Sequence, residues 1–198
     1  MVWHDLAIGG MLQGRWHIKV DVGMTAKPRI LIFTGDGKGK TTAALGMAFR
    51  ASGHGMRTCV VQFIKSDTSV GEIAAADASE NIEIHPTGLG FLPPGDSPQL
   101  ASHRTAAQAG LQQAAAALTS GRFAMVILDE LCLAVARGLI DERQVSELIS
   151  LATPDTCLVL TGRDAPAGLL ALADTVTEMR CIKHGLDQGI TAQNGVER

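Results

Sequence analysis

The chain has 198 residues, of which 46% are hydrophobic and 19% charged, with a formal net charge of −3. A chain of this length is long enough to form one domain with a buried core, and the composition is typical of a globular rather than a disordered protein. The acidic balance and the lack of a Lys- and Arg-rich run argue against nucleic-acid binding, and no apolar run reaches the ~20 residues that span a bilayer. Because the N-terminus also lacks the basic-then-apolar order of a signal peptide, we expect a cytoplasmic protein without nucleic-acid or membrane partners.

Residues 1–27 are predicted to form an N-terminal arm, and residues 28–198 a single domain. Glycines at positions 9, 10, 14 and 23 interrupt any regular period, so the arm is expected to be flexible or to pack over the domain. Met24 closely precedes the first predicted strand, and the sequence therefore also allows a translation start there.

A glycine-rich loop between a strand and a helix is the most informative part of the sequence. Four apolar residues at 30–33 predict a buried parallel strand, and residues from Lys40 onward predict a helix. Glycine backbone amides in the loop between them can close around phosphate oxygens, Lys40 adds a positive charge, and the Thr41 hydroxyl is the expected Mg²⁺ ligand. The helix N-terminus faces the same anion. The run therefore predicts a nucleotide phosphate site.

The loop departs from the usual pattern G-x-x-x-x-G-K-[ST], which would put glycine at position 34. This chain has Thr34 there and a glycine one place later, at Gly35. The loop is therefore a variant, and its nucleotide need not lie as it does in an ordinary ATPase.

Strands and helices alternate along the rest of the chain. Further strands are predicted at 57–65, 81–85, 123–130, 156–162 and 175–180, and helices at about 40–53, 99–118 and 141–152. Asp141 and Gln144 form a capping-box pattern, and Asp164 is expected to cap a short helix that starts near Pro166. The alternation predicts a three-layer α/β/α domain with a mainly parallel sheet of about six strands.

Two acids end one predicted strand, at the sheet edge where parallel α/β sheets bind ligands. Asp129 and Glu130 follow a buried run, where carboxylates are costly unless they are paired with a metal or a cation. They are therefore predicted to support Mg²⁺, and a helix N-cap at Asp129 is the alternative. Lys65 and Arg163 each follow a strand, and each is either a phosphate ligand or a surface charge.

No nucleophile paired with a general base is suggested by the sequence. A reaction at the predicted nucleotide site therefore needs from the protein only the positioning of the substrates and the neutralisation of phosphate charge, together with a reactive substrate.

In combination, these motifs resemble those of the P-loop corrinoid adenosyltransferases, which act on cob(I)alamin or cob(I)yrinic acid a,c-diamide. Residues 33–44 are similar to that family's variant phosphate loop, and the similarity covers roughly residues 29–197 with the order of motifs preserved. The other matching positions are Arg50, 53–55, 61–65, 128–131, 160–163, 172–180, Lys183, His184, Asp187, Gly189, Ile190, Ala192, Gln193 and Gly195.

The resemblance implies a P-loop NTPase (RecA-like) fold and transfer of the 5′-deoxyadenosyl group of ATP to the Co(I) of a reduced corrinoid. Triphosphate is the implied product, in adenosylcobalamin biosynthesis or salvage. A homodimer and an electron-donating reductase partner are implied as well. The implied Mg²⁺ ligands are Thr41, Asp129 and Glu130, and the implied nucleotide-binding residues are Gly35, Asp36, Gly37, Lys38, Gly39, Lys40, Thr41, Thr42, Lys65 and Arg163.

The loop at 86–98 departs from the family pattern, in which aromatic residues keep the lower face of the corrin free of a ligand. Phe91 matches the family's phenylalanine and is, with Lys40 and Thr41, an implied catalytic residue, whereas Pro93 stands at the tryptophan position. Alternatively, Phe91 is a loop residue whose side chain is buried and stabilises the fold.

Two other functions compete with adenosyl transfer. One is a P-loop ATPase or kinase that cleaves the β–γ bond, and the other is a non-catalytic carrier of nucleotide or corrinoid. A nucleic-acid motor is disfavoured by the charge.

Overall fold

The computed structural model describes residues 11–12, 15–16, 27–95 and 97–197. Most of the predicted N-terminal arm, including Met24, lies outside the described residues. Within the arm, strand β1 (Met11–Leu12) pairs antiparallel with strand β2 (Arg15–Trp16).

A six-stranded parallel sheet forms the centre of the domain, with the order β5-β4-β6-β7-β3-β8. The predicted sheet of about six strands is confirmed. Its strands are β3 (Arg29–Thr34), β4 (Thr58–Gln62), β5 (Ile82–Pro86), β6 (Met125–Asp129), β7 (Cys157–Thr161) and β8 (Thr175–Glu178).

Helices cover both faces of this sheet. They are α1 (Lys40–Ser52), α2 (Gly71–Asp77), α3 (Leu100–Thr119), α4 (Leu131–Ala136), α5 (Glu142–Ile149) and α6 (Ala167–Leu172), followed by a 3₁₀ helix (Gly185–Gln188). No helix in the described ranges is long and apolar enough to cross a membrane.

Alternate residues of the buried strands belong to two different hydrophobic clusters. Val60, Ile127 and Val159 pack with the alanines of α1, whereas their strand neighbours pack in a larger cluster with α3. Because successive side chains of a strand point to opposite faces, the two clusters lie on opposite sides of the sheet. The predicted three-layer α/β/α architecture is therefore confirmed.

The local helix predictions met different outcomes. The capping box of α5 is present, since the Asp141 amide donates to Gln144 Oε1 at 3.0 Å. The cap predicted for Asp164 is wrong, because α6 begins at Ala167 with Pro166 as its N-cap. Asp164 instead has a left-handed φ of 54° in the turn that leaves β7. That turn places its side chain too early in the chain to cap the helix.

The parallel strands bring the carboxyl ends of β4, β6 and β7 to one edge of the sheet. Gln62 pairs in register with Asp129, and Leu128 pairs with Leu160 on the other side. Asp129 therefore lies between Gln62 and Thr161 at the edge where β3 runs into the glycine-rich loop.

Candidate active site

The glycine-rich loop wraps around the Lys40 side chain. Lys40 is the first residue of α1 and is only 6% exposed. Its Nζ donates to the carbonyl oxygens of Gly35 at 2.8 Å and Gly37 at 2.7 Å. Burial lowers the pKa of Lys40, while the nearby carboxylates, Glu130 first, raise it. The ammonium therefore holds the loop curled at the N-terminus of α1.

Gly35 is required by both its conformation and its surroundings. Its φ is +94°, and a Cβ there would lie 2.4 Å from the carbonyl oxygen of Met179. The amide of Gly37 donates to that same oxygen at 2.7 Å. The glycine at 35, in place of 34, thus lets the loop lie directly against the backbone that follows β8.

Asp129 is a fully buried acceptor that joins three elements. Its Oδ1 accepts hydrogen bonds from the hydroxyls of Thr41 at 2.8 Å and Thr161 at 2.7 Å. Its Oδ2 lies 3.4 Å from Gln62 Nε2. Asp129 is a strand residue and not the N-cap of α4, since that position is occupied by Glu130.

Glu130 places a carboxylate with unmet hydrogen-bonding capacity beside Asp129. Its backbone is left-handed with φ 60°, and its amide donates to Thr161 Oγ1 at 2.9 Å. Its Oε2 is buried and has no hydrogen-bond partner within the described ranges. Burial, followed by the charge of Asp129, raises the pKa of Glu130. This oxygen is suited to a cation.

Lys65, which follows β4, is held between two acids. Its Nζ lies 3.0 Å from Glu72 Oε1 and 3.4 Å from Asp129 Oδ2. Glu72, in the first turn of α2, was not among the predicted site residues. No strong periodicity marks the seven residues of α2 as a helix, so nothing in the sequence placed this acid at the site.

A cavity of about 790 Å³ brings most of the predicted nucleotide residues together. Gly35 and Asp129 are not part of its wall and act through the contacts described above. The predicted residues in the wall are Asp36, Gly37, Lys38, Gly39, Lys40, Thr41, Thr42, Lys65, Glu130 and Arg163.

The C-terminal segment closes one side of this cavity. Lys38 Nζ donates to the carbonyl oxygen of Val196 at 2.6 Å and lies 3.8 Å from Glu197 Oε1. The amide of Cys181 donates to Asp36 Oδ1 at 3.0 Å, and this bond lowers the pKa of Asp36. His184 also lies in the wall. The resemblance covered this segment, but its contact with the phosphate loop was not predicted.

Phe91 lies on a second cavity, of about 400 Å³, that shares Lys65 with the first. Its side chain is fully exposed, so the alternative of burial for stability is wrong. Pro93, at the family's tryptophan position, accepts a hydrogen bond from Arg137 through its carbonyl oxygen at 2.8 Å. An aromatic ring is therefore presented to solvent beside the phosphate cavity.

Comparison with known proteins identifies the family. The sequence model of the family described as "ATP:corrinoid adenosyltransferase BtuR/CobO/CobP" matches residues 26–198. This chain belongs to the corrinoid adenosyltransferase family. The predicted family, its transferase class and adenosyl transfer between ATP and a corrinoid in cobalamin biosynthesis are thereby confirmed. The ATPase, kinase and carrier alternatives are not favoured.

Named relatives cover most of this corrinoid adenosyltransferase. The corrinoid adenosyltransferase of Pseudomonas aeruginosa is 39% identical over 169 residues, which are 85% of this chain and 82% of the relative. The corrinoid adenosyltransferase of Escherichia coli K12 is 38% identical over 85% of this chain and 84% of its own length. The corrinoid adenosyltransferase CobA of Salmonella typhimurium is 36% identical over the same shares.

Proposed function

We propose that this corrinoid adenosyltransferase binds the triphosphate of ATP in the loop at Gly35–Thr42 and the corrinoid beside Phe91. The observation that supports this most is the adjacency of the two cavities, which share Lys65. Adenosyl transfer from a nucleotide to a flat macrocycle needs a site for each substrate, with the two sites side by side. The phosphate loop and the exposed Phe91 ring lie on either side of Lys65 and would supply them.

The proposed step is a displacement at the ribose C5′. The Co(I) of the corrinoid substrate supplies an electron pair, a Co–C bond forms, and the C5′–O bond breaks. The bonding electrons leave with the triphosphate. Because Co(I) is itself the nucleophile, the protein has to orient the two substrates and stabilise the negative charge of the leaving group. We assign this stabilisation to Lys38, Lys40 and Arg163, which line the cavity.

We propose Mg²⁺ as the ion that Thr41, Asp129 and Glu130 hold. The buried Oε2 of Glu130, which has no hydrogen-bond partner among the described residues, fits a hard cation that prefers oxygen ligands. The 2.8 Å hydrogen bond between Thr41 and Asp129 brings the other two proposed ligands together. Among the described residues, no group of three or more His, Cys, Asp or Glu side chains is arranged to hold a metal. Mg²⁺ commonly takes one or two carboxylates together with substrate phosphates, so ATP would complete its coordination and the ion would neutralise phosphate charge.

The cellular setting is proposed on the same basis. The reaction consumes Co(I), so a reductase that donates electrons to the corrinoid is a partner that the chemistry requires. From the resemblance we propose a homodimer in the cytoplasm, acting in corrinoid biosynthesis or in salvage.

An anaerobic assay with purified protein, MgATP and chemically reduced cob(I)alamin tests the reaction. We expect a light-sensitive Co–C product and one triphosphate for each turnover. Formation of ADP and phosphate with an unchanged corrinoid would overturn the proposal. Repeating the assay with cobinamide and a cobyrinic acid derivative ranks the corrinoid substrates.

A further inference from the structure

The Lys65 ammonium is shared unequally between two carboxylates. It lies 3.0 Å from Glu72 Oε1 and 3.4 Å from Asp129 Oδ2. Its side chain is 33% exposed and that of Glu72 19%, whereas that of Asp129 is completely buried. The partly buried Glu72 therefore makes the shorter contact with Lys65, and the fully buried Asp129 makes the longer one.

The two carboxylate oxygens of Asp129 differ in the lengths of the hydrogen bonds and ionic contacts that they receive. Oδ1 receives two short hydroxyl bonds, from Thr41 and Thr161. Oδ2 receives two longer contacts, both of 3.4 Å, from Gln62 and Lys65. Because a buried carboxylate needs a compensating charge, Lys65 supplies that charge to Oδ2 through a contact that a stronger cation can replace.

We propose that Glu72 is a positioning residue that competes with Asp129 for Lys65 and so keeps Lys65 an exchangeable counter-cation of Asp129. Lys65 neutralises Asp129 before the metal binds, and Glu72 retains Lys65 at the cavity wall once the metal has taken its place. This proposal rests on the Mg²⁺ site of the proposed function. Lys65 then stays within reach of the phosphate groups but no longer pairs with Asp129, whose carboxylate binds the metal.

The proposal predicts opposite changes in metal affinity for the two partners. Lys65→Met removes the competing cation, so Mn²⁺ should bind roughly threefold more tightly in the absence of nucleotide. Glu72→Gln leaves Asp129 as the only carboxylate among the described residues in contact with Lys65, so Mn²⁺ should bind more weakly by a similar factor of roughly three. Residues that merely supported the fold would weaken binding in both variants.

The double variant Lys65→Met with Glu72→Gln distinguishes two roles of Glu72. Glu72 acts either by positioning Lys65 or by attracting the metal directly through its own charge. If Glu72 acts through Lys65, its substitution has no further effect once Lys65 is methionine. If Glu72 attracts the metal by its own charge, the loss is the same in both backgrounds, and the positioning role is overturned. Glu147→Gln is the matched control, because Glu147 is 64% exposed and pairs with Arg143 on the surface of α5.

Free Mn²⁺ measured by electron paramagnetic resonance gives these affinities without ATP, corrinoid or turnover. Circular dichroism checks that each variant is folded. Wild-type protein that binds no Mn²⁺ would overturn the exchange and the metal site, and Asp129→Asn shows whether any binding seen is at this site. The proposed adenosyl transfer is tested separately by its Co–C product. Loss of that product with the opposite affinity changes intact would leave the exchange supported.

Discussion

The Thr41 hydroxyl donates a hydrogen bond to Asp129 Oδ1 at 2.8 Å, and this contact joins the first turn of α1 to the acidic end of β6. Thr161 binds the same oxygen from β7. The phosphate loop, the proposed metal ligands and the neighbouring strand are therefore held in one arrangement by a single buried carboxylate.

Thr41→Val tests this arrangement. The substitution removes one donor from a buried carboxylate, so the free energy of unfolding should fall by about 1–3 kcal/mol. Thr41→Ser keeps the hydroxyl and should retain most of the stability and the metal binding. Urea denaturation measures the difference. Equal stability of the valine and serine variants would show that the bond contributes little.

Lys40→Ala should abolish adenosyl transfer. The ammonium donates to the carbonyl oxygens of Gly35 and Gly37 and is proposed to stabilise the leaving triphosphate, so its loss should raise the barrier by on the order of 3 kcal/mol or more. The anaerobic assay measures kcat/KM for ATP. Lys27→Ala is the control, because Lys27 is 58% exposed and pairs with Asp174 outside the cavity wall. Turnover close to that of the wild type would refute the role of Lys40.

The fold was largely predictable because its signals are local. The buried strands are short apolar runs, the phosphate loop is bounded by such a run and by a helix-forming one, and α5 begins with a capping box. Parallel strands also place their carboxyl ends at one edge, so the meeting of the loop with Asp129 and Glu130 followed from the topology alone.

The short helices and the side-chain partners were not predictable in the same way. Helices α2 and α4 have seven and six residues and lack a side-chain cap, and α4 begins after Glu130 in a left-handed conformation. Which acid holds Lys65 depends on where α2 packs. The exposure of Phe91 depends on the path of its loop, and no local pattern encodes either.

Gly35→Ala should prevent the phosphate loop from adopting its observed path. A Cβ would lie 2.4 Å from the carbonyl oxygen of Met179 at a φ of +94°, so we expect nucleotide binding to be lost. Gly46→Ala is the matched control, because Gly46 lies inside α1 and a Cβ added there would meet no atom of the described residues within 4 Å beyond its chain neighbours and the helix backbone. That control should gain about 0.5–1 kcal/mol in unfolding free energy. Calorimetric titration with MgATP measures binding, and unchanged affinity in Gly35→Ala would contradict the steric argument.

Phe91→Ala should affect transfer without affecting stability. The ring is fully exposed, so the free energy of unfolding should change by less than about 0.5 kcal/mol. If Phe91 keeps the lower face of the corrin free of a ligand, transfer should slow more with Co(II)-derived substrate than with chemically reduced Co(I). Phe49→Ala, at an exposed phenylalanine outside both cavities, is the control. Equal losses with both substrates would exclude the proposed role.

Glu130→Gln should stabilise the ligand-free protein in a pH-dependent manner. Burial raises the pKa of Glu130 in the folded chain above its ordinary value, so the folded state binds more protons between the two pKa values. The free energy of unfolding that Glu130 contributes therefore falls as the pH rises through this window. Glutamine carries no charge, so the stability gained by the variant should be full above the folded-state pKa and vanish below the ordinary one.

Urea denaturation of both proteins between acid and neutral pH, without Mg²⁺ or ATP, measures this gain. Glu80→Gln is the control for removing an acid at an exposed position. Adding MgATP should stabilise the wild type more than Glu130→Gln, because the oxygen that is costly to bury is the one proposed to hold the ion. A gain that is independent of pH, or equal stabilisation of both proteins by MgATP, would show that the Glu130 carboxylate is not held ready for a cation.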